Sequence, residues 1–335
     1  MTEDPVARAD QLLREGHARE AVDLILEASA SGHPDALFRN AMWKLAGEPI
    51  ARDLPGARAL LRRASTQGNA DATMVEIALT ANGSGAPSDW AGALALLESI
   101  ADHHTVAAEH RALLRRMTLT IDGGPAHIPT AETIGKHPCV QYIPRLFTQE
   151  ECLHVAYSAA DLLEPAMVAD PRTGASIPNA VRTSDSAVIG PTRETLVIQA
   201  LNRRVAAVSN TDWRQGEALS VLRYRPGQQF RPHIDALPAT HNQRIRTVLI
   251  YLNDGFSGGA TYFVHNALRV TPRMGDAIIF DNVCADGSID PTTRHAGEPV
   301  TNGVKWLATR WIRARPFSVW NGPESAADDV RSTIS

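Results

Sequence analysis

LRYRPGQQFRPHID, residues 222–235, runs from a strand-like apolar segment through a Pro-Gly turn to a histidine and an aspartate two positions apart. On a β-strand, residues i and i+2 share a face, so His233 and Asp235 can both reach one metal ion. The pair is weak on its own. With 12 histidines and 37 acidic residues in 335, about one His-x-Asp/Glu is expected by chance. The chain carries such a decoy in His33-Pro34-Asp35. What separates the two is their surroundings.

Around His233 the segments are short and strand-like: ALSVLRYR (218–225), RTVLIYLN (246–253), ATYFV (260–264), LRVTP (268–272), DAIIF (276–280) and VKWLATRWIRA (304–314). Turn signals such as NDGFSGG and PRMGD separate them. Many strands at this spacing predict an antiparallel sandwich or barrel. Two helices precede most of them and are expected to pack on one face. One is TQEECLHVAYSAADLL (148–163), with Thr148 as N-cap and Glu150 and Glu151 in its first turn; the other is RETLVIQALNRRVAAVSN (193–210).

Within this half His295 stands 62 residues after His233, and Lys305 follows ten residues later. Two histidines and one carboxylate on a β framework make a facial triad with open coordination positions, which by ligand type suits Fe(II). Zn(II) more often takes three histidines or a His-Glu set. Lys305 shares a strand face with Leu307, Thr309 and Trp311. If Leu307 and Trp311 face the core, so does Lys305. A buried ammonium is costly unless paired, and a bound dicarboxylate would supply the missing charge.

The strings LRYRPGQQFRPHID, RTVLIYLND, GGATYF, VTPRMGDAIIF and RHAGEPVTNGVKWLATRWIR, in this order and spacing, resemble the prolyl 4-hydroxylase branch of the 2-oxoglutarate- and Fe(II)-dependent dioxygenases. The resemblance covers residues 143–315. It implies a double-stranded β-helix, a distorted jelly roll. It implies that His233, Asp235 and His295 bind iron and that Lys305 pairs with the distal carboxylate of 2-oxoglutarate. Tyr224 and Thr261 would help hold the cosubstrate, with Tyr251 as a wall of the same pocket. O2 is the other cosubstrate the resemblance implies, with ascorbate as a candidate reductant. GGAT at 258–261 departs from relatives that carry a glutamate before the threonine, and no catalytic consequence is expected. His241 and His265 read as loop or strand-end residues.

The first 115 residues differ in kind. EAVDLILEASASGHPDA (20–36), GARALLRRASTQGNADA (56–72) and GALALLESIADHHTVAA (92–108) repeat with a period of 36. Ala21, Ala57 and Ala93 keep register, as do Leu24, Leu60 and Leu96, and Ala36, Ala72 and Ala108. Gly32 and Gly68 share a position that His104 takes in the third copy. Such a period, with small residues at contacts, marks a solenoid of helix pairs, and the Leu positions are expected to form its core. The pattern resembles Sel1-like repeats, relatives of the tetratricopeptide family. It also disposes of the decoy, because His33-Pro34-Asp35 falls where a repeat helix starts.

The expected organisation is therefore α+β in two domains: a helical solenoid over 1–115, a linker over 116–142 with room for one strand, a jelly-roll dioxygenase domain with flanking helices over 143–318, and a tail over 319–335. The formal charge of −4 argues against general nucleic-acid affinity. The start, MTEDPVARADQLLREG, has no apolar run like a secretory signal, and no apolar stretch is long enough to span a membrane. Cys139, Cys152 and Cys284 are few and widely spaced, as expected of a reducing cytoplasm.

For function, the resemblance implies hydroxylation of a C–H bond. A prolyl residue of a protein or peptide is the expected target, with the solenoid offering an extended concave binding surface. A free amino acid or other small molecule on the same scaffold is the alternative. An inactive interaction scaffold is the alternative of another class. Segment 170–190, rich in Gly, Pro and Ser, is where a mobile loop over the site is expected. Arg182 within it is the candidate substrate-binding residue, with a structural salt bridge as its other reading.

Overall fold

Helices Ala18–Ala30, Leu54–Thr66 and Trp90–Ile100 form the first arms of three repeats, and Pro34–Ala46, Ala70–Asn82 and Thr105–Arg116 the second arms, after a leading helix Pro5–Arg14. Each second arm starts the same way. The side chains of His33, Asn69 and His104 accept the N–H of Ala36, Ala72 and Ala107 at 3.4, 2.7 and 3.2 Å, the N-cap bond that an unpaired first-turn amide requires. The caps lie 36 and then 35 residues apart, so the third copy is one residue short. His104 therefore matches His33 and Asn69 rather than Gly32 and Gly68. Ala107, not Ala108, takes the buried place of Ala36 and Ala72.

The core of the first arms corrects another expectation. Ala21, Ala57 and Ala93 are fully buried, but Leu24, Leu60 and Leu96 are only half-buried. Ile25, Leu61 and Leu97 fill the core. They stand four residues beyond each alanine and so return to its face, where the preceding leucines lie on the flank. Gly56 and Gly92 serve a local need. Asp53 and Asp89 cap the arms by accepting their N–H groups at 2.9 and 2.8 Å, and an added Cβ would sit 2.0 and 2.3 Å from the capping carboxylates.

The computed structural model describes residues 4–169 and 176–322. It divides into two units: the chain up to Met117 with Pro191–Gln199, and the remaining described residues. In the second unit, eight strands form one antiparallel sheet in the order Glu132–Lys136, Cys139–Ile143, Ala277–Asp281, Arg244–Tyr251, Lys305–Arg313, Leu219–Tyr224, Asp185–Ile189 and Glu164–Pro165. Four more strands, Leu268–Val270, Thr261–Phe263, His295–Gly297 and Phe230–His233, form a second sheet. Apolar side chains from both sheets make one core, among them Leu222, Leu249, Phe263, Ile278, Phe280 and Leu307. This is the jelly-roll arrangement, in which inward residues alternate along each strand.

Segment 116–142 is more than a linker. Glu132–Lys136 and Cys139–Ile143 are a hairpin, and the second strand pairs with Ala277–Asp281 to bring Val140 into the core. Their few apolar residues hid this, since sheet partners rather than pattern define such short strands. Helix Gln149–Ala160 begins at Thr148 with a full capping box to Glu151, and buries Cys152, Val155 and Ala159. Glu151 accepts from Arg204 of helix Leu196–Val208 at 2.7 and 2.9 Å. Of the predicted mobile loop, residues 170–175 lie outside the described residues, as do 323–335 of the predicted tail. No described helix is long and apolar enough to cross a membrane.

Candidate metal centre and adjoining pocket

Sheet register assembles the centre. His295 lies directly opposite His233 on paired antiparallel strands, where cross-strand neighbours approach most closely, and their ring centroids are 4.3 Å apart. Asp235 follows two residues after His233. Its Oδ1 is 3.4 Å from His233 Nε2 and its Oδ2 is 3.9 Å from His295 Nε2. One ligand atom from each of the three residues lies within 4.8 Å of the others. Phe230 stacks on His233 and Phe280 meets His295 edge-on, so both rings are held by packing.

The tautomers follow from hydrogen bonding. His233 Nδ1 faces Arg231 O at 2.9 Å, and His295 Nδ1 faces Thr293 O at 3.0 Å. A carbonyl only accepts, so each Nδ1 carries the proton and each Nε2 turns a lone pair toward Asp235. Burial lowers the pKa of His295 to about 4 against the pull of Asp235, so its ring is neutral near pH 7. Burial opposes ionisation of Asp235, yet its surroundings, with the Thr247 hydroxyl donating to Oδ2, hold its carboxyl below the usual range. Two lone pairs and a carboxylate thus converge with no donor between them. A divalent cation fits this set. The donors are those of a two-histidine, one-carboxylate site.

Lys305 is 2% exposed and faces inward, as its strand alternation predicts. It stands cross-strand from Tyr224. Its Nζ donates to Gly259 O at 2.7 Å and lies 5.5 and 5.2 Å from the ring centres of Tyr224 and Tyr251. Among the described residues no carboxylate pairs with it. Burial alone lowers its pKa to about 7. Thr261 is buried and hydrogen-bonded to the Tyr251 hydroxyl, while burial raises the pKa of Tyr224 to about 12. Lys305, Tyr224 and Thr261 line one pocket with the three metal-centre residues. Tyr251 touches it through Thr261.

On the other side of His233 and Asp235 a cleft of about 500 Å³ opens. Arg182 lines it, placed there by an antiparallel bridge to Phe230. Its guanidinium sits 5.7 Å from the Phe230 ring centre and donates to Ser186 Oγ at 3.3 Å. Among the described residues no carboxylate pairs with Arg182, so its salt-bridge reading finds no support there. Sequence reading missed Glu217 and Arg244 in the same cleft. Arg244 binds Glu217 at 2.6 and 2.8 Å and stacks on Trp311. Trp311, on the Lys305 face, was the available signal. His241 and His265 lie in loops, as expected.

A family model of the 2OG-Fe(II) oxygenase superfamily matches residues 219–313. Over 206 residues the chain is 32% identical to prolyl 4-hydroxylase 1 of Arabidopsis thaliana, covering 56% of this chain and 73% of that relative. A solved viral collagen prolyl hydroxylase from Paramecium bursaria Chlorella virus-1, in its 2OG complex, is 26% identical with a TM-score of 0.43, over 52% of this chain and 96% of the other. A Sel1 repeat protein from Oxalobacter formigenes is 34% identical with a TM-score of 0.27, over 29% of each chain. The chain belongs to the 2OG-Fe(II) oxygenase superfamily, among the homologues of prolyl 4-hydroxylase.

Proposed function

We propose that this chain is a 2-oxoglutarate- and Fe(II)-dependent dioxygenase that hydroxylates a prolyl residue of a protein or peptide. The observation that carries this reading is the convergence, in one pocket, of a His-Asp-His donor set and a buried lysine that no carboxylate among the described residues neutralises. His233, Asp235 and His295 would hold the iron. Bound iron supplies the activation of O2 that couples 2-oxoglutarate + O2 + R–H to succinate + CO2 + R–OH.

The remaining work belongs to the chain's own residues. Lys305 neutralises one carboxylate of the cosubstrate, and the rings of Tyr224 and Tyr251 on either hand restrict its ammonium to that pocket. Thr261 and Tyr224 add hydroxyls, with Tyr251 fixing Thr261. Phe230 and Phe280 hold the imidazoles in place by packing against them. Arg182 reaches the cleft as a donor for a substrate carbonyl, and the size of that cleft fits an extended peptide segment. Ascorbate as reductant, a cytoplasmic location in keeping with free cysteines, and recruitment of the protein substrate by the helical repeats complete the reading.

The test is incubation with Fe(II), 2-oxoglutarate and proline-containing peptides or lysate proteins. Expected are succinate release, a 16 Da gain on proline by mass spectrometry as one oxygen atom adds, and loss of both in His233→Ala. Turnover that persists with Zn(II) in place of iron contradicts the oxygenase reading. Hydroxylation confined to free amino acids contradicts the peptide reading.

A further inference from the structure

Behind the metal centre lies a hydrogen-bond chain that none of the roles above uses. Asn282 Nδ2 donates to Thr247 Oγ1 at 2.9 Å, and Thr247 Oγ1 donates to Asp235 Oδ2 at 2.7 Å. Thr247 and Asn282 are 0% exposed, and Asp235 is 5% exposed. Thr247 shares its strand face with Leu249 and Tyr251, and Asn282 continues the face of Ile278 and Phe280. Two polar residues thus stand where the alternation of each strand otherwise places apolar ones.

The chain runs one way. A carboxamide nitrogen only donates and an ionised carboxylate only accepts, so the hydroxyl proton of Thr247 has Asp235 as its destination. The backbone of Asn282 is clamped as well: its N–H donates to Ile245 O at 2.8 Å and its carbonyl accepts from Asp290 N at 3.0 Å. Among the described residues its side-chain oxygen has no partner at full burial. An apolar residue would remove that cost, so the donor end is what this position supplies.

We propose that Thr247 and Asn282 are positioning residues that hold Asp235 as a one-oxygen metal ligand. The proposal rests on reading His233, Asp235 and His295 as the iron site. With Oδ2 occupied by the Thr247 hydroxyl, Oδ1 has no hydrogen-bond donor among the described residues and faces His233 Nε2 at 3.4 Å. A carboxylate fixed this way neither swings out nor spreads both oxygens over the ion, which keeps coordination positions open for cosubstrate and O2.

The experiment is anaerobic titration of metal-free full-length protein with Co(II), followed by its visible absorption, in wild type, Thr247→Val, Thr247→Ser and Asn282→Leu. Valine keeps the shape and loses the donor; serine keeps the donor and loses the methyl. Thr247→Val is expected to raise the Co(II) Kd roughly 10- to 100-fold, the scale for partners of metal ligands, and to alter the absorption bands. Valine also takes the acceptor from Asn282 Nδ2, so the metal-free melting temperature falls somewhat and Co(II) affinity is the deciding readout. Thr247→Ser is expected to restore affinity to within about threefold, and Asn282→Leu to weaken it by less than Thr247→Val. Unchanged affinity in Thr247→Val, or equal loss in the valine and serine variants, overturns the proposal. If Thr247→Val fails to fold, Asn282→Leu decides: weakened Co(II) binding supports the relay and wild-type binding overturns it. Wild-type protein that binds no Co(II) overturns the metal-site reading itself.

Discussion

The two halves of this chain are built on contacts of different range. In the repeats each helix packs on its sequence neighbours, and the same caps and core positions recur at a near-constant period, from Asp53 to Asp89 and from Ile25 through Leu61 to Leu97. In the jelly roll the decisive contacts are long-range: His233 meets His295, and Tyr224 meets Lys305 across 81 positions. Local packing distributes stability, whereas sheet register gathers chemistry. Substitutions in the first half should cost stability, and substitutions at the register points of the second should cost function while leaving the fold intact.

The largest effect expected lies at Lys305. Lys305→Met keeps the length of the side chain and removes a buried charge. It should raise the KM for 2-oxoglutarate by about 100-fold or more while the protein melts no lower than wild type, because an unpaired buried ammonium destabilises the free fold. Steady-state kinetics and a thermal scan check the pair. A large loss of melting temperature with unchanged KM would make Lys305 a packing residue like those of the repeats.

A second effect comes from the same ammonium. In the free protein burial lowers its pKa to about 7, and the cosubstrate carboxylate favours the charged form. Below pH 7 the lysine is already protonated, so affinity should be flat. Above it binding must take up a proton, so the Kd should rise by up to about tenfold per pH unit. Calorimetry in two buffers of different ionisation heat measures that uptake. Its absence at pH 8 breaks the assignment of Lys305.

In the repeats, Leu61→Ala should destabilise by about 3 kcal/mol through the cavity it leaves while the KM for 2-oxoglutarate stays put. Denaturant unfolding and kinetics on one variant test the contrast directly. The smallest effect expected is at His110, where burial lowers the pKa to about 4. A neutral buried histidine contributes stability above the unfolded value of 6.5 and loses it as pH falls toward 4. The expected loss is of order 2 kcal/mol. A His110→Gln variant should flatten this part of the stability–pH curve.

What the sequence revealed divides along the same line. The 36-residue period is visible because local repetition leaves a trace in the string, yet the period alone does not tell one helix flank from another, so it points equally to Leu24, Leu60 and Leu96 and to the buried Ile25, Leu61 and Leu97. His233, Asp235, His295 and Lys305 were legible through the strings that surround them. The hairpin at 132–143 was not, because its few apolar residues become strands only by pairing with Ala277–Asp281. Glu217, Arg244, Thr247 and Asn282 were missed for a related reason. Each is an ordinary polar residue until the sheets bring it to the centre. Thr247 gave the faintest signal, a hydroxyl on the inward face of RTVLIY.

The measurement that tests the central claim most directly is anaerobic equilibrium binding of Fe(II), with and without 2-oxoglutarate, in wild type, Asp235→Ala and His295→Ala. One ion per chain, lost in both variants, together with cosubstrate binding that requires both the ion and Lys305, is the predicted result. Undiminished iron binding in His295→Ala, or 2-oxoglutarate binding indifferent to Lys305→Met, would contradict it.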